Sequence, residues 1–443
     1  MRKITIAIML SMLFIISTFA GALHVKTNDD TQVNNENVTW MKTYAKEDSV
    51  VYLTSTQQTD DGGYVVIGDI GKSLSDTDIW LVKIDENGNK LWDKTFGEED
   101  TEEHSLVVQQ TSDGGYFVFG RIFFQEEYIP ARLWLIKTDI NGIEEWSKTY
   151  EAEGDSEVSD GYCQQTRDGG YIIATNIYES GEEARDAWLI KTDENGDIVW
   201  DKIFDKSKED TFYSVRQTSD DGYILGGMND GYIWLFKTDS NGNEIWDKTF
   251  SYPNYDRFLG GYVQQTSDGG YVVIGCIGKY ISEISVDVDC WLIKTDSNGN
   301  KIWDKIFGGD GPDSALYVQQ TDDNGYIITG CKYISLLNNP GDLWLIKTDS
   351  NGNKIWERTY GESGMYMETG TCVQQTHDGG YIVAGDELHI EGDTGTMKGL
   401  LIKTNENGKI RSISKQRYTN LLLVSFLKKI MQPFPLLTRL LEI

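Results

Sequence analysis

Short apolar runs recur along the chain, each bounded by glycine, asparagine or aspartate. Examples are YVVIG at 271–275 and WLIKTD at 291–296. They are rich in Val, Ile, Trp and Tyr and too short for helices, so they predict β-strands. Two kinds of break separate them, x-D-G-G and D-x-N-G. Both predict tight hairpins in which glycine supplies the backbone freedom a close turn needs. The order of phrases is constant: a strand ending in QQT (strand A), a D-G-G turn, a YVVIG-like strand B, a WLIKTD strand C, a D-x-N-G turn and an IWDKTF strand D. Each unit therefore reads as a four-stranded antiparallel meander.

The repetition is close to literal. KTDSNGNKIW stands at 294–303 and again at 347–356, and KTDSNGNEIW at 237–246. All 13 tryptophans fall into two series. Trp40, Trp92, Trp146, Trp200, Trp246, Trp303 and Trp356 sit in strand D; Trp80, Trp134, Trp188, Trp234, Trp291 and Trp344 open strand C, with Leu400 in the seventh place. A period of about 50 residues signals a propeller or a solenoid. The count decides between them. There are seven A, seven B and seven C strands, and a seventh D strand is found only at 39–44, ahead of the first unit. An open solenoid has no use for that arrangement. A ring does, because its first strand completes its last blade and few sheet edges remain exposed. The expectation is an all-β fold, a seven-bladed β-propeller over 38–410.

The paired phrases resemble the PQQ-like, or quinoprotein-type, propeller repeat, in which a strand ending in L-D meets a short N-G turn and a tryptophan follows. Leu292 to Asp296, Asn298-Gly299 and Trp303 fit that pattern, and it recurs in every unit. The chain is also similar to secreted proteins of bacteria and archaea that carry QQTSDGGY and WLIKTDxNGNxxW repeats. The resemblance implies the architecture and not a function, since such propellers include both enzymes and scaffolds. A quinone-dependent dehydrogenase of this kind is expected to carry adjacent cysteines over its cofactor. The five here (Cys163, Cys276, Cys290, Cys331 and Cys372) are not adjacent, and no cofactor is expected.

The flanks differ from the repeats. Arg2 and Lys3, the apolar stretch from Ile4 and the small residues Ala20-Gly21-Ala22 read as a signal peptide over 1–22, followed by a linker over 23–37. Either cleavage or retention as an anchor exports the chain, so a secreted or cell-surface location is expected. Asn37-Val38-Thr39 is the single glycosylation sequon. Residues 411–443 turn basic and leucine-rich. Their apolar run is too short to span a membrane but suits contact with its surface.

Net charge is −30. That excludes nucleic acid as a partner, because phosphate binding requires a basic surface. Most of the charge falls in the connections B–C and D–A, which share one face and vary in length, while strands and tight turns are nearly balanced. The densest part comprises Glu98, Glu99, Asp100, Glu102 and Glu103, then Glu151, Glu153, Asp155, Glu157 and Asp160. Such a face keeps a protein soluble, steers cationic partners, and could hold calcium weakly. A second series directly follows strand B: Asp69, Arg121, Asn176, Met228, Cys276, Cys331 and Asp386. If these line the channel rim, they form a mixed polar site. Cys276 ends a strand B and Cys290 begins the paired strand C, so a disulfide clamping that long connection is expected as one outcome, with buried free thiols as the other.

The D-x-N-G turn is not a calcium loop, because its glycine comes too early and a strand follows at once; Asp296 and Asp349 are expected to cap hairpins through backbone N–H groups. The tryptophans are expected to pack between blades. Neither a G-x-S-x-G elbow nor a phosphate-binding glycine loop is present, and the four histidines lack metal-ligand spacing. The reading is a monomeric, non-catalytic propeller that binds a protein, an envelope polymer or cations through its acidic face. Two alternatives stand beside it: an extracellular polysaccharide hydrolase or lyase using loop carboxylates, and a structural surface protein without a specific ligand.

Overall fold

The computed structural model describes residues 38–410, apart from short stretches within the B–C and D–A connections. The segments expected as signal peptide, linker and tail lie outside the described residues. Among those described, every regular element is a β-strand, and the strands form seven sheets ordered A–B–C–D. Blade 1 is typical: strand A is Val50–Gln58, B is Tyr64–Ser73, C is Asp76–Ile84 and D is Lys90–Phe96. In blade 3 strand A is broken into Ser156–Val158 and Tyr162–Gln165. Blade 7 takes its strand D from the start of the propeller. Trp40–Tyr44 pairs antiparallel with Thr394–Thr404, Trp40 opposite Lys403 and Tyr44 opposite Gly399. The ring closes as the repeat count requires.

The A strands of successive blades neighbour one another and form the inner wall. Strands B and C are almost wholly buried, and strand D alternates between cover and solvent. Six A strands share a bulge three or four residues before the first Gln of QQT, as between Leu53 and Ser55. The extra residue bends the inner strand and separates its two halves.

Each repeated phrase has a structural task. The strand D tryptophan packs against the tyrosine of the next blade's D-G-G-Y: Trp92 on Tyr116, Trp246 on Tyr271, Trp40 on Tyr64, with ring centroids 5.8–6.1 Å apart. The strand C tryptophan instead donates its indole N–H to the strand D carboxylate of its own blade, as Trp80 does to Asp93 at 2.9 Å and Trp188 to Asp201 at 2.9 Å. In D-x-N-G, Asp296 Oδ1 accepts from the N–H groups of Asn298 and Asn300, and Asp349 does the same for Asn351 and Asn353. The hairpin reading of this turn holds. The D-G-G aspartate gathers three phrases at once: Asp113 accepts from Thr111 of QQT at 2.5 Å, from Gly115 N–H, and pairs with Lys137 of the strand C phrase at 2.9 Å. The same lysine–aspartate pair recurs in all seven blades.

Candidate functional site in the central channel

The two glutamines of QQT stitch the inner wall together. The second glutamine's side chain accepts from the backbone of the preceding blade's A–B turn, as Gln110 does from Asp60 N–H and Gln58 from His377 N–H, closing a full circle. The first glutamine accepts from the next blade's second-glutamine N–H. Those bonds run from Gln57 to Gln110 (2.6 Å), Gln109 to Gln165, Gln164 to Gln217, Gln264 to Gln320, Gln319 to Gln375 and Gln374 to Gln58. Six of the seven links are made. At blade 4 the first glutamine is replaced by Arg216, which has no acceptor to offer Gln265 N–H.

Arg216 turns this end of the channel into a site. It lines a cavity of about 340 Å³ together with the glutamines, Tyr162, Tyr262, Tyr317 and Cys372. Its guanidinium donates to the hydroxyls of Tyr262 and, at 3.1 Å, Tyr317. It also lies 4.3 Å from the ring centre of Tyr162 and 5.2 Å from that of Tyr262. Burial holds the hydroxyl of Tyr162 above the ordinary phenol range despite the adjacent guanidinium, and that of Tyr317 well above it. The phenols of Tyr162 and Tyr317 are therefore neutral, and among the described residues no carboxylate pairs with Arg216. The amide Nε2 groups of the six channel glutamines make no hydrogen bond among the described residues. A fixed cation in one blade and amide N–H donors from the other six thus face one cavity in a chain whose net charge is −30.

The opposite half of the inner wall carries a second constellation. His104 Nε2 meets Glu102 Oε1 at 2.8 Å, and His104 Nδ1 lies 2.8 Å from the Tyr52 hydroxyl and 3.2 Å from Asp69 Oδ2. The bond to Asp69, opposed by burial and joined by Glu102, holds the imidazole above its usual range. The Tyr52 hydroxyl is raised by burial and by the Asp69 charge.

The residues expected to bind are distributed differently. Glu99, Asp100, Asp155 and Asp160 lie outside the described residues. Glu98 and Glu153 are exposed, Glu151 pairs with Arg132 at 2.8 Å, Glu157 accepts from the Tyr178 hydroxyl, and Glu103 is fully buried. Among the described residues, four of these groups (Glu102, Glu103, Glu151 and Glu157) are engaged with other side chains of the chain.

The series after strand B does not line the cavity. Strand A stands between it and the channel, and three of its members join neighbouring blades instead. Asp69 accepts from Ser105 N–H at 2.6 Å, Asn176 brackets the backbone of Phe212, and Cys276 accepts from Ala315 N–H. Arg121 stacks on Phe123, with the guanidinium carbon 4.6 Å from the ring centre. Asp386 is buried deeply enough to raise its carboxyl to about 7. Cys276 and Cys290 face each other in register as expected, but both are free buried thiols, like the other three cysteines. The bridge is not formed. The site that sequence reasoning passed over, Arg216, carried a visible signal as the one break in the first position of QQT.

No family model matches the chain, and no curated protein matches it in sequence. Among solved structures, the α-L-arabinofuranosidase Arb93A of Fusarium graminearum is 9% identical, with a TM-score of 0.45, over 84% of this chain and 99% of that one. The β-propeller domain of the Trilobed protease of Pyrococcus furiosus is 9% identical, with a TM-score of 0.43, over 82% and 98%. Puromycin hydrolase is 9% identical, with a TM-score of 0.40, over 79% of this chain; the chain spans 58% of that protein. The likeness is one of propeller fold alone.

Proposed function

We propose that the chain is a secreted, non-catalytic binding propeller whose ligand-holding element is the glutamine-lined end of the channel. One observation supports this above others: the Arg216 guanidinium sits among tyrosines and has no carboxylate partner among the described residues. A half-buried charge facing a cavity without a carboxylate partner is costly, and a ligand anion would supply the missing one. The ligand class is therefore an anionic end group, a carboxylate or sulfate, borne by a protein or an envelope polymer. The glutamine amides suit its oxygen atoms, and the three tyrosine rings suit the apolar face of a sugar or a peptide. The mouth lies at the A–B and C–D end, where the strand C lysine of every blade pairs with the D-G-G aspartate, away from the long acidic connections.

The test is calorimetric titration of the full chain with oligogalacturonate and a sulfated glycan fragment, beside neutral oligosaccharides of equal length. Binding of an acidic probe that is lost in Arg216→Gln supports the reading. Equal binding by the variant, or preference for neutral probes, overturns it. The His104 constellation favours a second reading, hydrolysis or lysis of a polysaccharide, because a histidine between two carboxylates and a phenol can move protons. Turnover of a glycan panel that disappears in His104→Ala and persists in Arg216→Gln would select it.

A further inference from the structure

Two positions vary in step around the ring. The first is two residues before the strand C tryptophan, or before Leu400 in blade 7; the second is six residues before the first QQT position of the next blade. At four junctions both are acidic: Asp78 with Glu103, Asp186 with Asp210, Asp289 with Asp313, and Asp342 with Glu368. At the other three neither is: Arg132 with Val158, Tyr232 with Phe258, Lys398 with Val51. A pattern that is all or nothing within one chain indicates that the two side chains serve one purpose. Solubility cannot be that purpose, because Glu103, Asp210 and Glu368 are fully buried and Asp313 nearly so.

The residue after strand D follows the same rule. It is Gly97, Gly308 or Gly361 at three of the acidic junctions and Asp205 at the fourth. The glycines clear space for oxygen atoms. A Cβ on Gly97 would lie 2.1 Å from Asp78 Oδ1 and 3.0 Å from Glu103 Oε2, and one on Gly361 would lie 2.4 Å from Asp342 Oδ1 and 2.8 Å from Glu368 Oε2. At the fourth junction Asp186, Asp205 and Asp210 bring one carboxylate oxygen each to within 4.8 Å of one another. Oxygens bound to a common calcium ion at about 2.4 Å are no more than about 5 Å apart. Glu103 adds an independent sign. Its Oε1 accepts from Thr101 and from Glu98 N–H, while its Oε2 is buried, turned toward Asp78 and without a hydrogen-bond partner among the described residues. A carboxylate oxygen is seldom left so unless something absent fills the space.

We propose that the acidic blade junctions are divalent cation sites, with calcium the ion their all-oxygen donors fit. The junctions at Asp78–Glu103 and at Asp186–Asp205–Asp210 show the arrangement most fully. The ion would bind two neighbouring blades to each other and neutralise part of the charge of the B–C and D–A face. This inference does not depend on the anion site at the other end of the channel.

The test uses the full chain freed of metal with a chelator. Calorimetry and thermal unfolding are followed as calcium is added, beside sodium at matched ionic strength. Expected are saturable binding of more than one calcium per chain and a rise in Tm that sodium does not reproduce. Glu103→Gln and, separately, Asp186→Asn should each lower the stoichiometry and shrink the rise; the second variant keeps the test open should the first fail to fold. Absence of calcium heat and of any calcium-specific Tm shift overturns the proposal. So does a Glu103→Gln protein that is stabilised equally with and without calcium, since the pair would then be sharing a proton.

Discussion

Arg216→Gln is expected to make the protein more stable and less able to bind, and the two effects can be sized separately. In six blades the first glutamine accepts a neighbour's N–H, at distances down to 2.6 Å. The variant places the missing acceptor beside Gln265, and a hydrogen bond that satisfies a buried donor is worth about 1–3 kcal/mol. Against this stand the loss of contact between the guanidinium and the tyrosine rings, about 0.5–2 kcal/mol, and of its two hydrogen bonds to the Tyr262 and Tyr317 hydroxyls, about 1–3 kcal/mol, the latter offset by removing a half-buried charge that has no carboxylate partner. The balance favours the variant by roughly 1 kcal/mol. Urea unfolding monitored by tryptophan fluorescence should show a higher midpoint at an unchanged slope. Affinity for an acidic probe should fall by about 2–5 kcal/mol, the cost of removing one partner from a desolvated charge pair, or thirtyfold and more. Arg216→Lys separates charge from shape: it keeps the cation but loses the planar fork, and should bind at an intermediate level. A variant that loses both stability and binding would mean that Arg216 is a structural member of the ring, and the channel reading would fall. One that gains stability and binds as before would refute the anion site alone.

Three further outcomes follow from the packing. Gly142 has φ +72° and a Cβ there would lie 2.6 Å from Trp92, whereas Gly114 has φ +85° with nothing near; Gly114→Ala should cost about 1–2 kcal/mol in urea unfolding, the backbone term alone, and Gly142→Ala clearly more. Burial raises the Asp386 carboxyl to about 7 in the folded chain, so the native state holds a proton that the unfolded state has lost; between about pH 4 and 7 this residue's contribution to stability declines as pH rises, and Asp386→Asn should flatten that part of a pH series of midpoints. All five cysteines are buried, and burial lifts the thiols of Cys163 and Cys290 well above their usual range, so a thiol reagent should label none in the native protein and five after unfolding, with no change in Tm on adding reductant.

Much of the architecture was legible because a ring of blades repeats one local solution. Strand lengths, the two glycine turns and the tryptophan spacing are set by neighbours in sequence, and Trp40 could be assigned to the last blade by counting alone. Roles that depend on which blade lies alongside were harder to read. Asp69 and Asn176 were expected at the channel rim, yet strand A lies inside them and they clamp the next blade. Glu103 was grouped with exposed neighbours, though the alternation of its strand turns it inward. Cys276 and Cys290 were paired in register as the spacing indicated, but register alone does not form a bond. Arg216 stood in plain view as a break in a monotonous phrase, and its meaning appeared only when three tyrosines from other blades met it.

The pairing of Trp40–Tyr44 with Thr394–Thr404 has a consequence for how the molecule is made. The earliest strand of the propeller to leave the ribosome has no mate until nearly the whole chain has followed it. Six blades can assemble in order while the seventh waits, with an unmatched strand at each end of the growing array. Joining these ends is the step of greatest sequence separation, and so the one expected to be slowest and most open to mispairing with another copy. Protection of those two open ends during synthesis is therefore a demand that this topology places on the cell.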